Sequence, residues 1–485
     1  MQLIIRPSPF FITMHCSLSL PLMLLLLLLF SFPSILSVSA TSIPPHAKKP
    51  LPPSPPNKNL QPTNMLPSEA ETLFRIMEIM SIDHTWRASY PNPCKPGSSW
   101  PGIECKPGTD NYLHVSRLDF GIKPNPSCKE TATFPYQIFA LPYLQSAFFF
   151  NCFTHTETTL SVSPDRLSNS SLQQLSLRSN PSLVGPIPPQ ISSLKFLQIL
   201  TLSQNRLTGP IPVKIFSLGS LVHLDLSYNV LTGTIPVQVG SLKSLEGLDL
   251  SYNSLTGIIP STIGQLGMLQ KLDLSSNLLS GTIPDSIVKL NSLFFMALSN
   301  NRLRGNFPKG LSKLQSLQYF IMDDNPMFIP LPIELGMLVK LQELRLANSG
   351  YSGSIPQSLS QLKNLSTLSL QNNRLTGEIP LCFGNLSHVY HLNLSRNLLE
   401  GVVPFNSSFL QRLGRNLDLS ENPGLCLSPA DAYSVKIGIG VGICGTNKNG
   451  SLMHPRKKSQ APTSLSKSFF LFAVSGLHYL LLFLG

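Results

Sequence analysis

The segment Leu221-Val-His-Leu224-Asp-Leu226-Ser-Tyr-Asn229 has the form L-x-x-L-x-L-x-x-N, and this form recurs along the chain every 24 residues. A fixed period of this length indicates a solenoid, in which each repeat is one structural unit that packs on its neighbours. The asparagine that closes the pattern stands at six equally spaced positions: Asn205, Asn229, Asn253, Asn277, Asn301 and Asn325.

The repeat continues on both sides of this stretch, for about thirteen units in total. Upstream, Val115–Phe120 has the pattern of a first, degenerate strand. We expect the residues around L-x-L to form one short strand per unit, with the leucines in a shared core and the asparagine bound to backbone groups at the following bend. The asparagine slot is occupied elsewhere by Cys152, Asn180, Ser349, Asn373, Asn397 and Asn422.

A second pattern, L-x-G-x-I-P, follows each asparagine, as in Leu207-Thr-Gly-Pro-Ile-Pro212. The glycine permits a tight turn, and the proline suits a strand end, where its missing N–H does no harm. This form resembles the plant-specific class of leucine-rich repeat. The resemblance implies an α/β solenoid, a plant-type leucine-rich repeat superhelix with disulfide-capped ends and parallel strands on the concave face.

Composition divides the rest of the chain. Arg6, the apolar run at 24–29 and the small residues Val38-Ser-Ala40 predict a secretory signal, with a signal anchor as the alternative. Ser68-Glu-Ala-Glu71 has the form of a capping box, which predicts a helix start. The predicted organisation is a signal peptide at 1–40, a proline-rich spacer at 41–67, an N-terminal cap at 68–109, repeats at 110–425, a C-terminal cap at 426–450, a polar spacer at 451–468 and a hydrophobic anchor signal at 469–485.

The net charge of +12 is concentrated at the two ends of the chain. Residues 1–67 carry four basic residues and residues 445–485 carry five, without any acid, so only +3 remains on the repeats. Nucleic-acid binding requires a basic stripe on the folded surface, and we therefore expect no nucleic-acid partner. We also expect no enzyme activity, cofactor or metal, because no catalytic motif or zinc-type cysteine spacing occurs.

Function is then expected on the outward strand positions, where a rigid array displays a row of side chains. Between Leu293 and Leu346 this row changes from repeated Asp and Ser to aromatic, apolar and charged residues, a composition typical of binding hot spots. Repeat drift is the alternative interpretation. The candidate partner-binding residues are Phe294, Phe295, Tyr319, Ile321, Asp323, Glu343 and Arg345.

Together with the cap segment Asn92–Cys105, the segment Leu144–Cys152 and the irregular repeat after Phe320, these features resemble the plant leucine-rich repeat receptor-like proteins. The resemblance covers residues 68–445 and implies a cell-surface co-receptor without a kinase domain, on the extracellular side of the plasma membrane. Such a protein pairs with leucine-rich repeat receptor kinases and responds to a secreted peptide or protein ligand, in development or in defence. The alternative is an apoplastic inhibitor of microbial wall-degrading enzymes, similar to polygalacturonase inhibitors, which lack a hydrophobic tail.

Chain order and the resemblance of the caps predict three disulfides, Cys94–Cys105, Cys128–Cys152 and Cys426–Cys444. Cys382 is left as a single thiol, either a neutral substitution or half of an intermolecular bond. Glycans on the sequons would direct partners to other surfaces, and a glycan on Asn393 would obstruct the concave face. The predicted glycosylation sites are Asn169, Asn364, Asn385, Asn393, Asn406 and Asn449.

The segment 469–485 predicts how the chain is attached to the membrane. It is barely long enough to span a bilayer, and its nearest basic residues precede it, contrary to the positive-inside tendency. We therefore expect a cleaved signal for a glycosylphosphatidylinositol anchor, with a short transmembrane tail or a secreted form as alternatives. Phosphatidylinositol-specific phospholipase C should release the protein from intact cells. Retention, with the tail peptide detected by mass spectrometry, would favour the transmembrane tail.

Overall fold

The computed structural model describes residues 64–82, 85–95, 100–161, 167, 170–432 and 439–445. All of them belong to one unit of the chain, Asn59–Asn447. The predicted signal peptide, the hydrophobic segment at 469–485 and the sequons at Asn169 and Asn449 lie outside the described residues. In the described ranges, no helix is long and apolar enough to cross a membrane.

One sheet of 14 strands runs through the described repeats. Its first strand is antiparallel to the second, and the other thirteen are parallel, one per repeat, as the period predicts. The strands, in sheet order, are Ile103–Pro107, Leu113–Phe120, Ser146–Phe150, Gln174–Arg178, Ile199–Thr201, His223–Asp225, Gly247–Asp249, Lys271–Asp273, Phe295–Ala297, Tyr319–Ile321, Glu343–Arg345, Thr367–Ser369, His391–Asn393 and Leu417–Asp418.

Shorter strands follow the asparagine of most repeats and form three lateral sheets. These sheets are interrupted at the irregular repeat after Asn325, where an isolated bridge between Pro330 and Ser352 replaces the strand pair. The lateral strands are Thr158–Thr159, Asn180–Pro186, Asn205–Pro210 and Val230–Thr232; Ser280–Gly281 and Arg302–Leu303; and Ser352–Ser354, Arg374–Gly377, Leu398–Val402, Gly424–Leu427 and Gly442–Ile443.

Short helices return the chain to the next strand. In the regular repeats these are 3₁₀ helices that begin just after the proline of the I-P pair, because proline fixes φ near its helical value. The 3₁₀ helices are Tyr136–Ala140, Pro189–Ser193, Val213–Ser217, Val237–Ser241, Ser261–Gln265, Asp285–Lys289, Leu311–Lys313, Ile333–Met337, Gln357–Gln361, Leu381–Asn385 and Gly414–Asn416; the α-helices are Pro67–Met80, Trp86–Ser89, Ser407–Leu413 and Pro429–Ala432.

The asparagine of each regular repeat ties two repeats together. Asn277 Nδ2 donates to the carbonyl of Leu250 in the preceding repeat at 2.9 Å and to that of Leu274 in its own repeat at 3.2 Å. Its Oδ1 accepts the N–H of Leu255 at 3.0 Å, again in the preceding repeat. The leucines around it are fully buried. The asparagine row therefore satisfies backbone groups at the bend, as predicted, and also couples successive units.

The N-terminal cap covers the first strand with the helix Pro67–Met80, whose stripe Leu73, Ile76, Met77 and Met80 is fully buried. The predicted capping box is wrong. The helix begins at Pro67, so Ser68 lies inside its first turn, and no side chain caps it. Glu71 instead contacts the guanidinium groups of Arg75 and Arg87 on the surface.

Glu69 of this helix is buried and holds the first repeat. Its Oε1 accepts the N–H of Val115 at 3.0 Å, and its Oε2 lies 2.6 Å from Nδ1 of the buried His114. Burial lowers the pKa of His114, but hydrogen bonds to Asp110 and Glu69 outweigh this effect and raise that pKa above its usual value. Because opposite charges favour the imidazolium form, the cap contains a compensated ionic contact rather than an isolated charge.

The structure joins the cysteines in the three pairs that chain order predicts. Cys94 bonds to Cys105 and Cys128 to Cys152 at the N-terminal end, and Cys426 bonds to Cys444 after the last repeat. Trp100 is buried next to the first pair and stacks on Trp86 with a centroid distance of 4.4 Å. Cys382 is not bonded and is partly exposed.

The asparagine row yields a stability prediction. Replacing Asn277 with Ala should lower the free energy of unfolding by about 3 kcal/mol, because it leaves one backbone N–H and three carbonyls without this partner. The control is Asn291→Ala, which removes an exposed side chain from the turn after a 3₁₀ helix and should cost under about 0.5 kcal/mol. Urea unfolding of both variants measures the difference. Equal stabilities would show that the row does not couple the repeats.

Candidate functional site on the concave face

Parallel pairing brings the candidate residues into two adjacent rows on the concave sheet. One row contains Phe295, Tyr319 and Glu343, which pair directly with one another across neighbouring strands. The other contains Ile321 and Arg345, which are likewise paired. The register therefore places side chains that are 24 residues apart in the chain next to one another.

Phe295 is the first departure from expectation. Only 4% of its surface is exposed, although it does not join the leucine core. Its ring is covered on the concave side, with Lys271 Nζ 5.7 Å from its centroid and the Tyr319 ring centroid 6.0 Å away. The prediction that Phe295 is an exposed contact residue is thus wrong. It packs against Tyr319 from the neighbouring strand, and its removal would open a cavity.

Tyr319 and Ile321 are half-buried on the concave sheet, and Phe294 is half-buried just before the strand Phe295–Ala297, outside both rows. The Tyr319 hydroxyl donates to Gln342 Oε1 at 3.1 Å. Burial, and then the charge of Glu343, raise the pKa of Tyr319, so the phenol stays neutral. These residues provide an apolar surface with a hydroxyl and a carboxylate at its border.

The structure also differs from the prediction at Asp323, which is only 4% exposed and accepts a backbone hydrogen bond. Its Oδ1 accepts the N–H of Ala347 at 2.7 Å, and its Oδ2 accepts from Arg345 Nε and Nη2, each at 2.9 Å. Burial raises the pKa of Asp323, and the charge of Arg345 opposes the rise. Asp323 therefore positions Arg345 rather than facing a partner.

The regular repeats explain this exchange. There an aspartate such as Asp249 accepts the N–H and the hydroxyl of Ser251, two residues later. In the irregular repeat Ile321 takes the aspartate position, and the acid occupies the serine position, 323. The carboxylate then reaches the next strand instead of its own bend. The sequence signal for this contact is I-x-D at 321–323, where the regular repeats at 225–227, 249–251 and 273–275 have D-x-S, together with an arginine one repeat later.

Arg345 and Glu343 complete the accessible border of the patch. The Arg345 Nη1 lies 3.8 Å from Glu343 Oε1, and about a third of the arginine side chain, 32%, is exposed. We call Tyr319, Ile321, Glu343 and Arg345 the concave patch. It is apolar in the centre and carries both charges at one side, with its arginine held in place by Asp323.

An acidic row precedes the concave patch, where the sequence pattern already shows Asp repeated from strand to strand. Asp225, Asp249 and Asp273 stand opposite one another on three strands, and Lys271 Nζ lies 3.0 Å from Asp249 Oδ2. Burial, and next the charge of Asp249, raise the pKa of Asp273 to about 7. In the described residues, no group of three or more His, Cys, Asp or Glu side chains could hold a metal ion.

The described sequons differ in accessibility. Asn364, Asn385 and Asn406 are exposed, and Asn406 also caps a helix, with its Oδ1 accepting the N–H of Phe409 at 2.9 Å. Asn393 is half-buried on the concave sheet, where its Oδ1 accepts the N–H and hydroxyl of Ser395. In all four, attachment of a glycan stays a prediction.

The acidic row yields a prediction about pH. Because the folded-state pKa of Asp273, about 7, exceeds the unfolded value of about 3.9, the folded chain binds the extra proton between these values. The free energy of unfolding should therefore decrease as the pH rises from 4 toward 7. In Asp273→Asn this decrease should be smaller by about 1 kcal/mol or more.

The control is Asp418→Asn, at the same slot in the last strand, where the neighbouring strand carries Asn393 rather than an acid. It should not reduce this decrease. Thermal melting between pH 4.5 and 7.5 measures the slopes. Parallel curves for Asp273→Asn and the unchanged chain would contradict the proton uptake.

Comparisons with known proteins agree with this architecture. The family model described as leucine rich repeat matches residues 196–255, 234–279 and 364–386. Receptor like protein 29 of Arabidopsis thaliana is 69% identical over 128 residues, which are 26% of this chain and 28% of that protein. Protein TOO MANY MOUTHS of the same plant is 40% identical over 130 residues, 26% of this chain and 25% of that protein. The chain thus matches less than a third of the length of either relative.

Two solved structures share the fold over longer stretches. The PEPR1–AtPEP1 crystal structure has a TM-score of 0.64 and 30% identity, over 78% of this chain and 52% of that chain. The plant peptide hormone receptor RGFR1, in complex with RGF2, has a TM-score of 0.52 and 29% identity, over 64% of this chain and 53% of that one. The expected resemblance is confirmed: the chain has the leucine-rich repeat fold and is similar to plant leucine-rich repeat receptor-like proteins.

Proposed function

We propose that this chain is a cell-surface receptor-like protein that binds an extracellular peptide or protein ligand through the concave patch. The observation that carries the proposal is the patch itself. Tyr319 and Ile321 stand where the regular repeats at Asp225, Asp249 and Asp273 carry His, Gly or Lys at the first position and Asp at the second. Apolar surface beside an arginine is typical of binding hot spots. One similar structure is titled as a plant peptide hormone receptor, which supports a ligand of this class.

The arrangement of the patch favours tight contact over chance exposure. Phe295 packs beside Tyr319 on the neighbouring strand, and Asp323 fixes the guanidinium of Arg345 through two nitrogens. Side chains that are already ordered lose less entropy on binding, so such a surface gives more affinity for its area. Repeat drift explains a single unusual residue, but not these supporting contacts around the patch.

We further propose that the chain acts as a co-receptor with leucine-rich repeat receptor kinases, in development or in defence signalling, at the outer face of the plasma membrane. In this proposal the partner kinase supplies the cytoplasmic signal. A patch with both charges at one side suits a protein surface, because complementary charges orient the two partners during encounter.

Capture of the full chain by a panel of receptor-kinase ectodomains tests this function. Replacing Tyr319 and Ile321 with Ala should weaken capture by about 2 kcal/mol or more, because both side chains lie at the centre of the patch. The matched control is Ile199→Ala with Thr201→Ala, at the same two strand positions in an earlier repeat, where both residues are also half-buried. Phe295 is left unchanged because its loss would disturb folding.

The control pair should bind as the unchanged chain does. Equal binding by the Tyr319 and Ile321 variant, at equal secretion and melting temperature, would show that the partner docks elsewhere. Selective binding to a polygalacturonase instead of any receptor-kinase ectodomain would overturn the receptor assignment in favour of an inhibitor.

A further inference from the structure

A cleft of about 460 Å³ opens beside the irregular repeat, outside the concave patch. It runs across three repeats, between the bends that precede the asparagine row and the segments that follow it. The residues that shape it are Asp324, Phe328, Asn348, Gly350, Asn372 and Arg374.

Phe328 projects into this cleft because the turn of its repeat is changed. In regular repeats the left-handed residue of this turn is glycine, as at Gly257 with φ 80°. Here Ile329 occupies the glycine slot, and the positive φ, 50°, falls on Phe328. A bulky residue in this conformation is strained, and its ring is 59% exposed, so burial does not compensate for the strain.

The two following repeats hold the ring in place. A Cβ on Gly350 would lie 2.4 Å from Phe328 Cδ1, so only glycine leaves room for the ring. On the next repeat the Arg374 guanidinium carbon lies 5.4 Å from the ring centroid, within cation–π distance. The ion pairs found among the described residues do not include Arg374. The arginine is thus oriented by an aromatic ring while its charge stays available.

The opposite wall is a row of three exposed polar side chains on successive repeats. Asn372 Nδ2 donates to Asn348 Oδ1 at 2.8 Å, and Asn348 in turn hydrogen-bonds Asp324. The cleft therefore carries a negative charge at Asp324 and a positive charge at Arg374, two repeats apart. Two strand spacings correspond to about 10 Å, which an extended peptide covers in about three residues.

We propose that this cleft binds an extended peptide segment, with an acidic side chain against Arg374 and a basic group against Asp324. The amides of Asn348 and Asn372 match the donors and acceptors of a peptide backbone, and Phe328 offers an apolar contact. Charges of both signs suit a peptide rather than a uniformly anionic polysaccharide, which Asp324 would repel. The site rests on the proposed function only as a second contact for a peptide-bearing ligand or partner.

The probe is the synthetic peptide acetyl-Lys-Ala-Leu-Glu-amide, whose binding to the full chain is measured by ligand-observed NMR titration. Arg374→Gln should weaken binding about tenfold, because a charge-assisted hydrogen bond is lost. Asp324→Asn should weaken binding less than Arg374→Gln does. A second peptide, with Gln in place of Glu, should bind the unchanged chain and the Arg374→Gln variant equally, because it lacks the carboxylate that Arg374 would contact. Gly350→Ala, which displaces the Phe328 ring, should also reduce binding.

The matched control is Arg302→Gln, an exposed arginine at the same slot three repeats before Arg374, and it should bind the probe as the unchanged chain does. Equal binding by Arg374→Gln and Arg302→Gln would overturn the proposal. Preferential binding of a galacturonic acid tetramer that depends on Arg374 would overturn it too, in favour of a saccharide site. Since no receptor-kinase ectodomain enters this titration, its result is independent of whether the concave patch captures one.

Discussion

The contact on which this fold depends is the hydrogen bonding of one buried asparagine side chain to the backbone of two repeats. Asn229 shows the pattern: its Nδ2 donates to the carbonyl of Leu202 at 2.8 Å, and its Oδ1 accepts the N–H of Leu207 at 3.0 Å, both in the preceding repeat. These contacts satisfy buried backbone groups that no strand partner reaches, and they also fix each unit on its neighbour. Successive strands are thereby held in register, and the concave rows follow directly from that register.

Where the asparagine is absent, a disulfide or other hydrogen bonds connect the repeats instead. At the N-terminal end Cys152 stands in its place and is disulfide-bonded to Cys128, which ties two consecutive repeats together. At Ser349 the shorter side chain reaches only part of the way, and Asn373 accepts the N–H groups of both Ser349 and Tyr351. The backbone N–H of Ser349, which has the shorter side chain in this slot, is thus hydrogen-bonded by a side chain of the next repeat. Ser349 also lies in the wall of the Phe328 cleft.

The repeat pattern predicts the sheet, the core and the number of parallel strands, because the same spacing of leucines and asparagine recurs in every unit. It fails where a side chain is controlled by neighbours 24 residues away. The strand position of Phe295 predicts an exposed side chain, but Lys271 and Tyr319 cover its ring from the two adjacent strands. The sequence predicts that Asp323 is exposed, but its carboxylate accepts hydrogen bonds from Ala347 and Arg345 in the next repeat. The capping box at Ser68 fails for a local reason, because Pro67 already begins the helix.

Both proposed contact surfaces arise from one departure in the array. Asp323 and Asp324 are consecutive, yet the first faces Arg345 on the concave sheet and the second faces Asn348 in the cleft. The left-handed backbone at Asp324, with φ 57°, separates their directions. Since regular repeats carry serine at the first position, acquiring two adjacent acids there builds both surfaces at once. A ligand that reached from the patch into the cleft would meet Arg345, which Asp323 holds in place, and then Asp324 itself, so this one segment positions a charge at each of the two surfaces.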